Sequence, residues 1–143
     1  MATIRPFKAI RPTRDKVSLV ASRSYLSYKE ETLIEKLEHN PYTFLHIINP
    51  DYSEKQTEIK GKAKYPLVKN KFLNFQDEGV FLKEEKPTLY LYQQRKGEIV
   101  FTGIICASSV DDYLDGKIKI HEQTIARREK MFKDYLDITG FNA

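Results

Sequence analysis

Tryptophan is absent and cysteine occurs once, as Cys106. A single thiol excludes an internal disulfide framework and a zinc site built from several cysteines. No apolar run approaches the roughly 20 residues that a membrane-spanning helix requires. The opening Met1-Ala2-Thr3-Ile4-Arg5-Pro6 has no apolar segment behind it, which argues against a secretory leader. The expectation is a cytoplasmic protein without a membrane partner. Glycine is scarce, with 6 in 143 residues, and none stands in a Gly-x-x-x-x-Gly-Lys-Ser/Thr, Gly-x-Gly-x-x-Gly or Gly-x-Ser-x-Gly pattern. The P-loop, the dinucleotide fingerprint and the hydrolase nucleophile elbow are therefore all missing. An excess of one charge is lacking too. Lys and Arg total 24 against 20 Asp and Glu, and the signs alternate, as in Lys83-Glu84-Glu85-Lys86. Nucleic-acid binders concentrate positive charge on one face, so a nucleic-acid partner is disfavoured. The densest basic stretch, Lys60, Lys62, Lys64, Lys69 and Lys71, reads as a solvated helix face. His39, His46 and His121 fall on different expected elements without metal-ligand spacing, so no metal site is expected.

What is present is an ordinary globular balance, 41% hydrophobic and 31% charged. A chain of 143 residues makes one domain and buries about two thirds of its unfolded surface. Two Arg-Pro pairs, Arg5-Pro6 and Arg11-Pro12, force an extended entry arm. Val17 to Tyr25 reads as a second extended piece. Residues 29–38 form a helix with Leu33, Ile34 and Leu37 on one face, Ser27 as N-cap and Asn40 as a left-handed C-cap. Phe44 to Ile48 reads as a buried strand. Residues 57–77 read as helical, with Pro66 starting or kinking a helix and Leu67, Phe72, Leu73 and Phe75 as core candidates. Val80 to Leu82 is a short strand. A hairpin follows, with Leu89 to Tyr92 and Ile99 to Ala107 as arms and Arg95-Lys96-Gly97 as the turn. Cys106 should be an inert, buried thiol. Asp111 to Gly116 is a short turn or a single helical turn, and Lys117 to Ile120 is extended. The last helix runs from Thr124 to about Thr139, with Met131, Phe132, Tyr135 and Leu136 inward and Gly140 ending it. The fold class is α+β, a mixed and mainly antiparallel sheet with about three helices in a single domain, 1–143.

One segment carries candidate chemistry. A strand ends in His121-Glu122, Thr124 caps the next helix, and Arg127 and Arg128 fall in its first turn. Cations there oppose the helix dipole, an arrangement that an anion docked at the helix N-terminus would reverse. Thr124, Arg127 and Arg128 are the anion-binding candidates. His121 is a proton carrier in range near neutral pH, and Glu122 could hold its tautomer or bind a metal. The alternative stays open: Glu122 and Glu129 pair with the arginines and His121 is partly buried. Tyr25, Lys29 and the Asn40-Pro41-Tyr42 turn are weaker candidates.

An ordered series of short motifs then becomes informative. Arg5-Pro6-Phe7-Lys8-Ala9-Ile10-Arg11-Pro12 is followed by Val20-Ala21-Ser22-Arg23 and by Asn40-Pro41-Tyr42-Thr43-Phe44-Leu45-His46-Ile47. Glu78-Gly79-Val80, Glu85-Lys86-Pro87-Thr88-Leu89-Tyr90-Leu91-Tyr92 and His121-Glu122-Gln123-Thr124 come after. The series resembles the N-terminal part of the domain-of-unknown-function family 1015. That resemblance implies a much longer architecture carrying an Asp-Gly-His-His-Arg stretch, which is similar to the nucleotide-handling box of ParB-type domains and of ADP-dependent free-serine kinases. It implies ADP or ATP with magnesium in a full-length member, none of these held by this chain alone, and the C-terminal region as a partner. Two departures bear on catalysis. Ser24-Tyr25-Leu26 stands where many members have Pro-Tyr-Asp, and Ile125 stands where many have Arg.

The leading expectation is thus the N-terminal portion of a nucleotide-dependent, serine-like small-molecule kinase, inactive alone. In it His121 and Glu122 would serve the chemistry, and an anionic small molecule or nucleotide would bind at Thr124, Arg127 and Arg128. The alternatives are a non-catalytic structural or regulatory binding module and, less favoured, a nucleic-acid-associated one.

Overall fold

A computed structural model of the chain describes residues 1–52, 59, 61–119 and 125–141. The chain forms two compact units, each discontinuous in sequence. One comprises Met1–Arg11 and Lys83–Gln123, the other Pro12–Leu82 and Thr124–Ala143. The architecture is α+β, with six α-helices and antiparallel strand pairs among the described residues. The three helices expected from sequence are present, and the additional ones are short segments of four or five residues.

The second unit is helical. Its first helix, α1 (Val17–Val20), replaces the expected extended piece. The Thr13 carbonyl accepts from the Lys16 and Val17 N–H groups, and Val20 is buried with its carbonyl accepting from Phe44 N–H at 3.0 Å. This tertiary pairing overrides the strand preference of two valines. A 3-10 turn, Tyr25–Ser27, follows, in which Ser27 Oγ donates to the Ser24 carbonyl at 2.6 Å. Ser27 is thereby spent, and α2 (Glu30–His39) starts from Lys29 without a side-chain cap. Glu30 and Glu31 in its first turn complement the dipole instead. Asn40 ends α2 in an extended conformation, φ −136°, rather than a left-handed one.

Phe44 to Ile48 is not a strand. It holds the short helix α3 (Leu45–Ile48), with Leu45, His46 and Ile47 buried. A brief apolar run carries no period that separates a buried strand from a buried helix. A 3-10 segment, Gly61–Lys64, leads into α4 (Tyr65–Asp77), with Pro66 in the first turn where its missing N–H is harmless. Val68 and Phe75 are its buried residues, whereas Leu73 is exposed. The final helix, α6 (Ala126–Thr139), packs on α4 and closes at Gly140, whose φ of 76° suits a residue without Cβ. Contrary to expectation, Met131, Phe132 and Leu136 are exposed on α6, while Tyr135 is half-buried and Thr139 buried. Phe141 turns back to stack on Phe72 at 3.9 Å, and Phe75 meets Phe81 at 5.8 Å.

The first unit is built from strands. β1 (Ile4–Arg5) pairs antiparallel with β6 (Ala107–Ser108). β4 (Tyr90–Lys96) and β5 (Ile99–Ile105) form the expected hairpin, with Tyr90 opposite Ile105 and Lys96 opposite Ile99. Gly97 takes φ 60° in its two-residue turn. Phe7 and Thr88 exchange backbone hydrogen bonds at 3.0 and 3.2 Å. The remaining strands, β2 (Ile10–Pro12) and β3 (Phe81–Lys83), carry the chain between the two units.

α5 (Val110–Leu114) is capped by Ser109 and holds Asp112, which is 5% exposed. Its carboxylate accepts from Lys117 Nζ and from Thr3 N–H, both at 2.7 Å. The Lys117 hydrogen bond first, and the Thr3 N–H next, hold the Asp112 pKa down at about 2. Lys117 and Ile118 are therefore a bend tied to α5 rather than extended as expected, and Ile120 lies outside the described residues. Cys106 lies between β5 and β6 and is half-buried rather than sealed among aliphatics.

Candidate functional site

His121, Glu122 and Thr124 lie outside the described residues. Arg127 is in the first turn of α6, where only its place in the helix is described. Arg128 is exposed on the same turn, and its N–H donates to the carbonyl of Ile125, the residue that precedes the helix without a side-chain cap.

Arg128 lines a cleft of about 610 Å³ in the helical unit. α6 contributes Arg128, Lys130, Met131 and Asp134, and the Gly61–Lys64 segment and the start of α4 contribute Gly61, Lys62 and Tyr65. Asp134 is paired with Lys62 at 2.7 Å, so its charge is compensated. Among the described residues no carboxylate pairs with Arg128 or Lys130. The cleft therefore presents two uncommitted cations, one of them planar and suited to forked hydrogen bonding of phosphate or carboxylate.

A second cavity, of about 380 Å³, adjoins it and shares Tyr65 and Met131 as a common wall. Its lining is mostly apolar and aromatic, from Tyr25, Tyr65, Val68, Phe132 and Tyr135. Tyr65 and Tyr135 meet edge to face at 5.3 Å. Burial, then the Tyr65 phenol, push the Tyr135 pKa up, so that it stays a neutral hydroxyl. Lys64 sits at this cavity paired with Asp51 at 3.1 Å. Lys62 and Lys64, expected on a solvated face, are thus fastened to acids, while Lys60 lies outside the described residues.

The cavity accounts for two of the exposed apolar side chains of α6. Met131 and Phe132 face a cavity rather than a packed core. Reasoning from sequence missed the aromatic cavity, because its lining comes from four separate stretches: Tyr25, Ile48 and Asn49, Lys64 to Val68, and Met131 to Tyr135. The signal available was the high tyrosine count, 9 without tryptophan. Of the weaker candidates, Tyr25 reaches this cavity, and Asn40 is structural: its amide donates to the Leu19 carbonyl and accepts from Tyr42 N–H.

Among the described residues, no three His, Cys, Asp or Glu side chains are grouped so as to hold a metal ion. No helix among them is long and apolar enough to cross a membrane.

Comparison with known proteins gives one match. The family model described as "Protein of unknown function (DUF1015)" matches residues 4–143. No curated protein and no solved structure matches.

Proposed function

The DUF1015 family, to which this chain belongs, is the premise from which we propose that the helical unit binds a nucleotide. The observation that supports this reading is the adjacency of two chemistries across one wall. Arg128 and Lys130 suit phosphate oxygens, and the cavity of Tyr65, Phe132 and Tyr135 suits a planar base. A small inorganic anion would use only the first, and an apolar ligand only the second. Pockets of this class are largely apolar with a few placed polar groups, and each volume falls in the usual range of roughly 300–1,000 Å³.

In this reading the chain supplies nucleotide binding to a nucleotide-dependent small-molecule kinase and transfers no phosphoryl group by itself. His121 and Glu122 remain the proposed acid–base pair, and Thr124 and Arg127 the proposed neighbours of Arg128 at the phosphate. The reaction class rests on the Asp-Gly-His-His-Arg stretch that the family resemblance implies for longer members and that this chain lacks. Asp134 is held by Lys62.

Isothermal titration of the chain with ADP, adenosine and inorganic phosphate tests the reading. ADP should bind more tightly than either half-ligand. Arg128→Ala should weaken ADP about tenfold, which is about 1.4 kcal/mol, and leave adenosine nearly unchanged. Phe132→Ala should weaken both ADP and adenosine. Absence of ADP binding, or wild-type affinity in Arg128→Ala, would overturn it.

A second reading, a non-catalytic binding module, is favoured by one observation. The β4–β5 hairpin exposes large apolar side chains on both faces. Leu91 and Ile104 stand opposite each other on one face, and Tyr92, Ile99 and Phe101 lie on the other. Such a patch marks an interaction surface. Concentration-dependent association that Leu91→Ser abolishes would support it, and a strictly monomeric, ligand-binding chain would not.

A further inference from the structure

The two edges of the β4–β5 hairpin differ. Its two-residue turn makes Lys96 and Ile99 a hydrogen-bonded pair, and such pairs alternate along the ladder. Ile99, Phe101, Gly103 and Ile105 therefore direct their backbone groups to β4. Val100, Thr102 and Ile104 turn theirs outward, as Leu91, Gln93 and Arg95 do on the opposite edge. No strand among the described residues pairs with either edge. The β4 edge ends in Arg95 and Lys96, charges that discourage a further strand. The β5 edge has no such guard. Its sequence, Ile-Val-Phe-Thr-Gly-Ile-Ile, carries no charge and no proline, and every residue is exposed.

The β5 sequence is also complementary to its own reverse. Laid antiparallel on a second copy about Thr102, Val100 falls opposite Ile104, and the outward N–H and C=O groups of the two strands meet. Ile99 falls opposite Ile105, and Phe101 opposite Gly103. A Cβ at Gly103 would meet nothing within 4 Å, so the space beside it is open. Phe101, 57% exposed, supplies a ring to cover it. A glycine inside a strand marks a place where another backbone comes close, and a cross-strand aromatic ring shields its bare backbone. At the centre, Gln93 Nε2 donates to Thr102 Oγ1 at 3.3 Å. The hydroxyl proton of Thr102 is left to donate, and threonines directly opposite in a sheet hydrogen-bond to each other. An unrelated strand could use the open backbone groups, but a second copy matches Phe101 to Gly103 twice.

We propose that β5 pairs antiparallel with β5 of a second copy about a two-fold axis at Thr102, giving a sheet in the order β4-β5-β5-β4. The proposal rests on the binding-module reading of the hairpin, for which it names the partner and the register, and it is independent of nucleotide binding. The contact is isologous, and the charged β4 edges stop growth at a dimer. The 7 residues of β5 in each copy fall short of the roughly 20–30 of a standard interface. The dimer is therefore weak and concentration-dependent.

Sedimentation velocity of the chain at concentrations up to about 1 mM tests the pairing. A monomer–dimer equilibrium should appear. Thr102→Pro removes one outward donor and no ladder bond, and Thr102→Lys sets like charges opposite each other on the axis. Each, checked for unchanged thermal unfolding at low concentration, should weaken the dimer at least about tenfold. Gln93→Pro, the counterpart on the β4 edge, should leave it intact. Register is read in a Cys106→Ser background with an added thiol oxidant. Thr102→Cys should give a disulfide-linked dimer, because hydrogen-bonded opposite Cα atoms lie about 5.5 Å apart. Val100→Cys should not, because position 100 and its copy are four residues apart, roughly 13 Å along the strand. A strictly monomeric chain, undiminished association in both Thr102 variants, or growth past a dimer would overturn the proposal. Association that Leu91→Ser abolishes and both Thr102 variants leave intact would overturn the edge pairing and keep the broader reading of the hairpin.

Discussion

The two units of the chain solve the problem of stability differently. Among the described residues, all eight buried hydrophobic ones, Val20, Leu37, Leu45, Ile47, Val68, Phe75, Val80 and Phe81, belong to the helical unit. The strand unit buries Asp112 instead, and its most apolar element, the β4–β5 hairpin, is exposed along both strands. The helical unit is therefore held by apolar burial, which scales with area removed from water. The strand unit is held by backbone pairing and by the Asp112 junction between Thr3 and Lys117. A two-stranded hairpin is marginal by itself in water. In the proposed reading, small-molecule binding falls to the unit with the firm core, and the alternative reading places surface docking on the other.

The contrast can be broken most forcefully at Phe75, 1% exposed in the helical core. Phe75→Ala should cost about 3–5 kcal/mol, read by chemical denaturation, and should abolish amide protection throughout α3, α4 and α6. Retained protection there would remove the core from where it is placed.

Acid should act next, and on the other unit. The Asp112 pKa is depressed to about 2 from an ordinary value of 3.8. A depressed carboxyl contributes stability that is present above the unfolded pKa and is lost as pH falls through the folded one. Protection of the Thr3 amide should therefore fall between about pH 4 and pH 2, and Asp112→Asn should remove that transition. An unchanged transition in the variant would show that the junction does not hold the N-terminal arm.

Smaller effects sharpen the picture. Gly97 has φ 60° and open space around the Cβ position. Gly97→Ala should destabilise the hairpin by about 1 kcal/mol through backbone strain alone, seen as faster amide exchange in β4 and β5. Smallest of all, Leu91→Ser with Ile104→Ser should change unfolding free energy by no more than about 0.5 kcal/mol each, because both side chains are already in solvent. A large loss would mean that the hairpin faces are packed.

Much of the fold was legible in sequence where a local rule acts alone. Gly97 between alternating strands specified the hairpin, Pro66 marked the start of α4, and Gly140 marked the end of α6. What escaped was decided by tertiary contacts. Phe44 to Ile48 is too short to show a period, and Val17 to Val20 bends to meet Phe44. The inward face of α6 was misassigned because periodicity reveals an apolar stripe but not whether the stripe meets a core or a cavity. In the proposed site, Arg128 was singled out from sequence because a cation in the first turn of a helix runs against the dipole. The aromatic cavity was not, since it is assembled from four separate stretches of the chain.

The central claim, that the helical unit binds a nucleotide across the Tyr65–Met131 wall, is tested most directly by mapping ADP binding with amide chemical shifts of the labelled chain. The account predicts saturable shifts at Ile125 to Phe132 and at Tyr65, with the amides of β4 and β5 unmoved. Shifts confined to the hairpin, or none at all, would contradict it.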